Sequence, residues 1–323
     1  MFKSPNILFV QKADVLETQK NIITKFFNTH IPDAKLAFAS EPNEITLGQS
    51  ADILIAPTVE TLDEIILRLK DLRWIHFLSA GVEKIWPMQF DKSKYLLSKS
   101  SGVHGATMSE FAIGAMLFFE KSFNRFIELS REHRWERSWL GELTNKNLVV
   151  LGLGHIGQEI AKKASAFDMN VSGSATTTKA IPFVNQVVEL NNIANIIKDA
   201  DYIVVCLPLT EQTKACVNRA FVQQCKPGCV IIDISRGGVV SESAILYGLD
   251  NNILKGAALD VFETQPLPSS SKLWDRPDVL LTPHVSGTTQ EYLPKALNVF
   301  YKNYQQLHSR GELSTAVNPS LQY

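Results

Sequence analysis

Two side chains in this 323-residue sequence are placed where they could act together on a carboxylic acid. Arg236 follows a strand-like run at 230–234 and precedes two glycines. A guanidinium at a strand end can bind a carboxylate and polarise an adjacent carbonyl, although a solvent-facing ion pair is the alternative. His284 follows another strand and a proline. A histidine at such an edge is a natural proton donor, although a structural role is also open.

A glycine-rich turn earlier in the chain indicates where a nucleotide would bind. Four apolar residues at 148–151 lead into Gly152, Gly154 and Gly157, and a helical pattern follows. The first glycine permits a tight bend, the second lets a pyrophosphate approach the backbone, and the third lets the helix pack on the strand. A tight turn without a ligand is the alternative. Dinucleotide binding is favoured because the next helix has one apolar face, formed by Ile160, Ala161, Ala164 and Phe167.

The elements from Leu148 onward are expected to form a second lobe with a parallel sheet. Its later strands are predicted at 169–173, 202–207, 230–234, 256–260 and 279–281. In a doubly wound sheet, ligands lie beyond the carboxyl ends of the strands. Chemistry is therefore expected in the polar loops at 208–210, 235–238, 260–266 and 283–284.

The first hundred residues also alternate strands with helices, which indicates another parallel α/β sheet. Strands are predicted at 6–10, 35–39, 52–56, 74–78 and 95–98, and helices at 13–30 and 62–70. The last helix carries an apolar stripe from Leu293 to Leu307. We expect it to return to the first lobe and to close a two-lobe protein with a cleft between the lobes.

A turn of small residues at 78–83 follows the fourth of these strands. Backbone N–H groups exposed after a strand end can bind a carboxylate, and a simple loop is an equally favoured interpretation.

The segment after the first lobe is unusually apolar. Residues 107–110 have the sequence of a capping box, and the run 111–119 behind it is apolar on nearly every face. Such a helix is expected to lie between lobes or against a second subunit. Residues 131–139, which are rich in charge and tryptophan, are predicted to form an exposed arm.

Composition excludes several classes of function. A formal net charge of −1, from 32 basic and 33 acidic residues, gives no reason to expect nucleic acid or a membrane surface as a partner. The N-terminus does not resemble a signal peptide, and no apolar run approaches the roughly 18 residues of a membrane span. The four cysteines lack metal-ligand spacing, so we expect reduced thiols, no metal site and a soluble cytoplasmic protein.

The ordered set of motifs resembles one family, the D-isomer-specific 2-hydroxyacid dehydrogenases, and most closely its glyoxylate/hydroxypyruvate reductase-like branch. The resemblance covers nearly the whole chain. It rests on Gly-Val-His-Gly-Ala-Thr-Met-Ser-Glu at 102–110, Gly-Leu-Gly-His-Ile-Gly at 152–157, Leu-Pro-Leu-Thr at 207–210, Ile-Ser-Arg-Gly-Gly at 234–238, Leu-Asp-Val-Phe-Glu at 259–263 and Leu-Thr-Pro-His at 281–284.

The resemblance implies a fold and a set of site residues. The fold would be α/β with two doubly wound parallel-sheet lobes: a flavodoxin-like substrate domain at 1–100, rejoined by 288–323, and a Rossmann dinucleotide-binding domain at 101–287. Arg236 would bind the carboxylate and keto oxygen of a small 2-keto acid, and His284 would protonate that oxygen. The turn residues Ser79, Ala80, Gly81 and Val82 would bind the carboxylate. The cofactor would be lined by Thr107, Gly152, Gly154, His155, Ile156, Gly157, Ala175, Thr176, Thr177, Lys179, Leu207, Pro208, Thr213, Ile234, Ser235, Asp260 and Gly287. A homodimer through the dinucleotide-binding domain is also implied.

The sequence departs from the family pattern beside the histidine. The family carries a glutamate five positions after the aspartate that matches Asp260, and here that position is Gln265. A carboxylate beside an imidazolium stabilises the charged form, whereas an amide orients the ring without that help. We expect the protonated form of His284 to be lost at lower pH than in relatives with glutamate.

A second departure concerns the choice of cofactor. An NAD enzyme of this kind carries an acidic residue about 20 positions beyond the glycines. The region 173–179 contains no carboxylate, and Thr176, Thr177 and Lys179 could donate to a 2′-phosphate, although the usual arginine is also absent. The sequence predicts NADP, or both NADP and NAD, with NADPH favoured.

Two alternative functions remain open. A dinucleotide-sensing protein on the same fold would explain the loss of glutamate at Gln265, although Arg236 and His284 argue against it. Oxidation of another acid, such as phosphite or formate, is the weaker alternative, because no residue singles it out.

Overall fold

The computed structural model describes residues 2–318, except for the side chain of residue 83. The chain forms two compact units: unit 1 comprises Met1–Val103 and Thr289–Tyr323, and unit 2 comprises His104–Thr288. No helix in the described part of the chain is both long and apolar enough to cross a membrane.

The regular elements alternate strands with helices along most of the chain. The first stretch of unit 1 contains β1 (Asn6–Val10), α1 (Ala13–His30), β2 (Lys35–Ala39), β3 (Gln49–Ser50), β4 (Ile53–Ala56), α2 (Leu62–Arg68), β5 (Leu69–Lys70), β6 (Trp74–Phe77) and β7 (Leu96–Lys99). Unit 2 contains α3 (Gly105–Glu120), α4 (Phe123–Arg131), β8 (Asn147–Leu151), α5 (His155–Ser165), β9 (Asn170–Ser174), β10 (Gln186–Val188), α6 (Ala194–Ile197), β11 (Tyr202–Val205), α7 (Arg219–Val222), β12 (Cys229–Asp233), α8 (Glu242–Asp250), β13 (Leu254–Leu259) and β14 (Val279–Leu281). The last helix, α9 (Tyr292–Arg310), belongs to unit 1.

Unit 1 is built on a five-stranded parallel sheet in the order β2-β1-β4-β6-β7. If the short pair β3 and β5 is set aside, the strands follow the flavodoxin-like order 2-1-3-4-5. Helix α9 buries Leu293, Leu297, Phe300 and Leu307 in the same cluster as Trp74, and the rings of Phe300 and Trp74 stack with centroids 5.0 Å apart. The apolar stripe thus packs on the sheet of unit 1, because residues three or four apart share one face of a helix.

The core of unit 1 also holds a fully buried histidine. His76 on β6 places Nδ1 2.7 Å from the Ser98 hydroxyl and Nε2 3.1 Å from the Ser100 hydroxyl. Trp74 donates its ring N–H to the Ser98 hydroxyl at 2.9 Å. Burial lowers the pKa of His76 from 6.5 to about 3, so the ring is neutral in the folded protein.

This histidine predicts a loss of stability in acid. In the unfolded chain His76 binds a proton below about pH 6.5, whereas in the folded chain it does so only near pH 3. Stability therefore falls as the pH drops through this window. Between pH 7 and pH 5, we expect the free energy of unfolding to fall by about 2 kcal/mol more in the wild type than in His76→Gln. Urea titrations of both proteins would measure this, and curves that stay parallel across the window would contradict it.

Unit 2 is built on a seven-stranded parallel sheet in the order β10-β9-β8-β11-β12-β13-β14. Renumbered within the unit, the order is 3-2-1-4-5-6-7, which is the Rossmann order extended by one strand. The chain adds its first three strands toward one side of the sheet and the rest toward the other, so the topological switch point lies between β8 and β11. Two parallel sheets of these orders confirm the α/β fold class expected from the sequence. Apolar clusters cover both faces of the sheet, which explains why its strands are continuously apolar.

The last paired residues of these strands stand in one register. We call them the terminal row: Val188, Ser174, Leu151, Val205, Asp233, Leu259 and Leu281. The loops that follow the row all leave the sheet at its carboxyl edge, where a doubly wound sheet binds ligands.

Two local predictions for unit 2 are wrong. The capping box at 107–110 does not form, because α3 begins at Gly105 and Thr107 already lies inside its first turn. The buried Ser109 instead donates its hydroxyl to the carbonyls of Gly105 and Ala106, at 2.6 and 2.8 Å. Phe167 does not lie on the apolar face of α5, which ends at Ser165, and its side chain is 40% exposed.

Helix α3 is not covered on every side by its own chain. Ala112, Met116 and Phe119 are buried in the core of unit 2, but Gly114 is exposed and Phe118 is only partly buried. The arm at 131–139 is exposed as predicted, and the side chains of Trp135 and Trp139 are 95% and 101% exposed.

Candidate active site

The three glycines of the turn after β8 meet three different constraints. Gly152 has φ +100°, a conformation that L side chains rarely adopt. A Cβ on Gly157 would lie 2.2 Å from the Gly152 carbonyl oxygen, so only glycine lets α5 approach the strand. A Cβ on Gly154 would meet no atom of the described residues within 4 Å. The turn thus leaves open space at Gly154, where α5 begins and its first N–H groups have no acceptor within the helix, as a pyrophosphate requires.

Two side chains that the sequence analysis did not single out hold this turn. The Ser174 hydroxyl accepts a hydrogen bond from the Gly152 N–H at 3.2 Å, and the Cys206 thiol donates to the Gly152 carbonyl at 3.0 Å. Burial raises the pKa of the Cys206 thiol to about 12, so it remains a donor. Both residues stand at the carboxyl ends of the strands that flank β8. That position in the sequence is the feature from which their role could have been predicted.

The segment expected to distinguish the two cofactors lies beyond β9, next to the glycine turn. Ala175 is partly buried, and Thr176, Thr177 and Lys179 are exposed. These polar side chains thus lie at the same edge of the sheet as Gly154.

The loop after β11 is shaped by a buried threonine. Thr213 donates its hydroxyl to the Pro208 carbonyl at 2.6 Å and accepts from the Thr210 N–H at 2.8 Å. Its hydroxyl is therefore used within the loop, and the loop presents Pro208 to solvent next to the partly buried Leu207.

The remaining predicted cofactor residues lie around the same sheet edge or at the start of α3. His155 is exposed and Ile156 partly buried in the first turn of α5, whereas Thr107 is partly buried in that of α3. Gly287 accepts a hydrogen bond from His104 Nδ1 at 3.1 Å, and a Cβ there would lie 2.9 Å from that nitrogen.

Arg236 stands three residues beyond the terminal row on β12. Its Nη1 donates to the Ser235 carbonyl at 2.9 Å, while Ile234 and Ser235 are buried. The next residue is confined as well, because a Cβ on Gly237 would lie 1.8 Å from the Phe262 carbonyl oxygen. The backbone on both sides of the guanidinium is thus closely packed.

His284 stands three residues beyond the terminal row on β14, and its ring is oriented by Gln265. The ring Nδ1 lies 3.0 Å from Gln265 Oε1, and the Gln265 amide donates to the Phe262 carbonyl at 3.4 Å. Because Oε1 only accepts, Nδ1 carries a proton in this arrangement and Nε2 is left to exchange one. His284 is exposed and has φ +56°, an uncommon conformation for a residue with a side chain.

Asp260 holds the loop that carries His284. It is fully buried, and its carboxylate accepts from the Thr282 hydroxyl at 2.7 Å, the Val285 N–H at 2.8 Å and the Ser286 N–H at 3.0 Å. The family resemblance placed Asp260 among the residues that line the cofactor. The contacts within the chain give Asp260 a structural task that the sequence analysis missed.

In unit 1, the turn predicted to bind a carboxylate follows β6. Ser79 shares a hydrogen bond with the Thr58 hydroxyl at 3.2 Å, and Ala80 and Gly81 are partly buried. The Val82 side chain is fully buried in the core, so only its backbone is left for a ligand.

Comparisons with known proteins agree on one family. The sequence profile described as "D-isomer specific 2-hydroxyacid dehydrogenase, NAD binding domain" matches residues 113–286. The chain is 30% identical to a hydroxypyruvate reductase of Thermotoga maritima over 244 residues, which is 74% of this chain and 78% of that protein. It spans about half the length of a D-3-phosphoglycerate dehydrogenase of Bacillus subtilis, covering 46% of that protein at 29% identity.

Solved structures show the same fold over the whole chain. A D-isomer specific 2-hydroxyacid dehydrogenase family protein from Aeromonas salmonicida is 26% identical, with a TM-score of 0.85 over 98% of this chain and 99% of that chain. An NADPH-dependent glyoxylate/hydroxypyruvate reductase from Sinorhizobium meliloti, in complex with NADP and sulfate, has a TM-score of 0.84 at 23% identity and covers 98% and 100% of the two chains. Together with a parallel sheet in Rossmann order and the glycine turn at its switch point, these matches show that the chain belongs to the D-isomer-specific 2-hydroxyacid dehydrogenase family.

Proposed function

We propose that this protein reduces a small 2-keto acid of the glyoxylate, hydroxypyruvate or pyruvate type to the corresponding D-2-hydroxy acid. One observation carries the proposal: Arg236 and His284 lie in the loops that follow β12 and β14, the two strands that flank β13. Each stands three residues beyond the terminal row. A cation and a proton donor at one sheet edge are what the reduction of a carbonyl beside a carboxylate requires. The relative from Thermotoga maritima, named as a hydroxypyruvate reductase, belongs to this class of activity.

Arg236 is assigned to substrate binding and polarisation. A guanidinium can bind a carboxylate through two parallel hydrogen bonds while another N–H points to the keto oxygen. It stabilises the negative charge that builds on that oxygen as the carbonyl is reduced. As the family resemblance implies, we also assign carboxylate binding to the turn in unit 1, through the backbone N–H groups of Ser79, Ala80, Gly81 and Val82.

His284 is assigned as the proton donor. With Nδ1 bonded to Gln265, the proton that can be transferred is the one on Nε2 of the doubly protonated ring. That proton moves to the keto oxygen, and the ring is left neutral. Gln265 acts as a positioning residue that selects this ring orientation.

The cofactor assignment follows the glycine turn. Bound nicotinamide cofactor supplies the hydride for the reduction. We assign its pyrophosphate to Gly154, His155, Ile156 and Gly157 at the start of α5, and its ribose end to the segment 175–179. The other lining positions we assign are Thr107, Gly152, Leu207, Pro208, Thr213, Ile234, Ser235, Asp260 and Gly287.

The exposed donors beyond β9 lead us to propose that NADPH is preferred or that both cofactors are used. Thr176, Thr177 and Lys179 favour a phosphate, and no carboxylate in the segment repels one. The ratio of kcat/KM for NADPH to that for NADH, measured with one keto acid, checks this proposal. A value for NADH about tenfold above that for NADPH, or about 1.4 kcal/mol, would contradict it.

Removing the guanidinium tests the proposed activity. Arg236→Ala should lower kcat/KM for glyoxylate, hydroxypyruvate and pyruvate by about a hundredfold or more, because a charged group that binds the substrate is lost. Binding of NADPH, followed by fluorescence, should change by less than about threefold. The control is Arg219→Ala, which removes an exposed arginine lying over the Tyr247 ring and should leave kcat/KM unchanged.

The outcomes of this test separate the candidate functions. If Arg236→Ala turns over the keto acids as fast as the wild type does, the role assigned to Arg236 is wrong. Tight binding of NADPH or NADH by the wild type, with no turnover of any keto acid, would favour a dinucleotide-sensing protein.

The residue beside His284 should set the pH dependence of the reaction. In Gln265→Glu a carboxylate would face Nδ1, and it would keep the ring protonated to higher pH. We expect the falling limb of the pH profile of keto-acid reduction to move to higher pH. Gln223→Glu adds the same charge to an exposed residue that bonds the Tyr247 hydroxyl, and it should leave the profile in place. An unchanged pH profile in Gln265→Glu would contradict the role of residue 265 in setting the pH dependence.

We also propose a homodimer formed through unit 2. Phe123 and Ile127 on α4 are 49% and 47% exposed, and the arm adds Trp135 and Trp139. Exposed apolar side chains of this kind are typical of an interface with another copy. Sedimentation equilibrium of the full chain should give twice the monomer mass of 36.0 kDa.

A further inference from the structure

A second buried carboxylate lies at the carboxyl edge of the large sheet, and no role has been assigned to it. Asp233 is the last residue of β12 and is 2% exposed. One of its carboxylate oxygens accepts from the Ser235 N–H at 3.0 Å and from the Ser235 hydroxyl at 2.5 Å. Ser235 is itself 2% exposed, so these hydrogen bonds are shielded from water.

These contacts connect Asp233 to the guanidinium. Ser235 is held by Asp233 through its N–H and hydroxyl, and its carbonyl accepts from Arg236 Nη1 at 2.9 Å. The other side of the turn is packed against Phe262, where Gly237 leaves no space for a Cβ. Asp233 therefore holds the turn from inside the unit.

The surroundings of Asp233 indicate that its acceptor geometry matters more than its charge. Burial raises the pKa of Asp233 to about 7, and the charge of Asp260, which follows the neighbouring strand β13, acts in the same direction. Near neutral pH a substantial fraction of the molecules thus carries a neutral acid at this position. The neutral acid still presents a carbonyl oxygen to Ser235.

We propose that Asp233 is a positioning residue whose buried side chain holds the Ser235 turn, so that Arg236 is already ordered when the substrate carboxylate binds. The inference rests on the proposed function, because it assumes that Arg236 binds the substrate. If the guanidinium must be ordered during binding, the enzyme binds both the substrate and the transition state more weakly. The loss of order therefore raises KM more than it lowers kcat.

The test compares two substitutions at one position. Asp233→Ala removes the acceptor and should raise KM for the keto acid by about tenfold, while kcat changes by less than about threefold. Asp233→Asn keeps an oxygen that both Ser235 donors can reach, and it should restore KM to within about threefold of the wild type. Oxalate, a dicarboxylate that is not reduced, should bind the NADPH-loaded Ala variant about tenfold more weakly than the loaded wild type.

The matched control is Asp201, a carboxylate at the opposite edge of the same sheet. It accepts from the Asn147 N–H at 2.9 Å and pairs with Lys226 at 2.6 Å. Asp201→Asn should leave KM and oxalate binding unchanged. A folded Asp233→Ala variant with KM within twofold of the wild type would overturn the inference.

Two further outcomes keep the inference separate from folding and from the proposed function. If Asp233→Ala does not fold, Ser235→Ala, which removes one of the two donors, should raise KM by about threefold. An unchanged KM in that variant would overturn the inference. If wild-type protein reduces no keto acid, the proposed function fails first. If it does and the Asp233 variants behave as wild type, only the role of Asp233 fails.

Discussion

The in-register pairing of seven parallel strands is the constraint on which the rest of the candidate site depends. Because the strands are parallel and their last paired residues stand in one row, every loop that follows begins at the same edge. Gly152 and Asp260 stand one residue beyond the row, and Arg236 and His284 stand three beyond it. A slip of one residue in any strand would turn its side chains to the opposite face and misplace the loop.

The row determines where the loops start, and buried acceptors determine their shape. Asp260 receives three donors from the segment around His284, which is held at φ +56°. A left-handed backbone costs a residue with a side chain about 1 to 2 kcal/mol. Hydrogen bonds to a charged acceptor contribute about 1.5 to 3 kcal/mol each, so they offset this cost. Close packing against a neighbouring backbone also fixes the shape of a loop, as at Gly237.

Much of this architecture could be predicted from the sequence, because strand and helix periodicities are local. The strands at 6–10, 35–39 and 279–281 and the helix at 13–30 have the predicted bounds. The residues near the carboxyl edge could be selected because the fold class indicates where loops bind ligands. The supports could not be found in this way, since Asp260 and its partners are 22 to 26 positions apart and meet only in the folded chain. The capping box failed for a different reason: α3 begins two residues before Thr107, so Thr107 lies inside the first turn and not at the N-cap.

The different surroundings of Gly154 and Gly157 have a consequence for how sequences on this fold can diverge. At Gly157 any side chain would collide with the Gly152 carbonyl, so the fold itself requires glycine there. At Gly154 no atom of the described residues opposes a side chain, whereas a bound pyrophosphate would require glycine. A descendant that abandoned its nucleotide would therefore be free to drift at Gly154 while retaining Gly157. The state of these two positions in a lineage thus records separately whether the fold and the ligand have been kept.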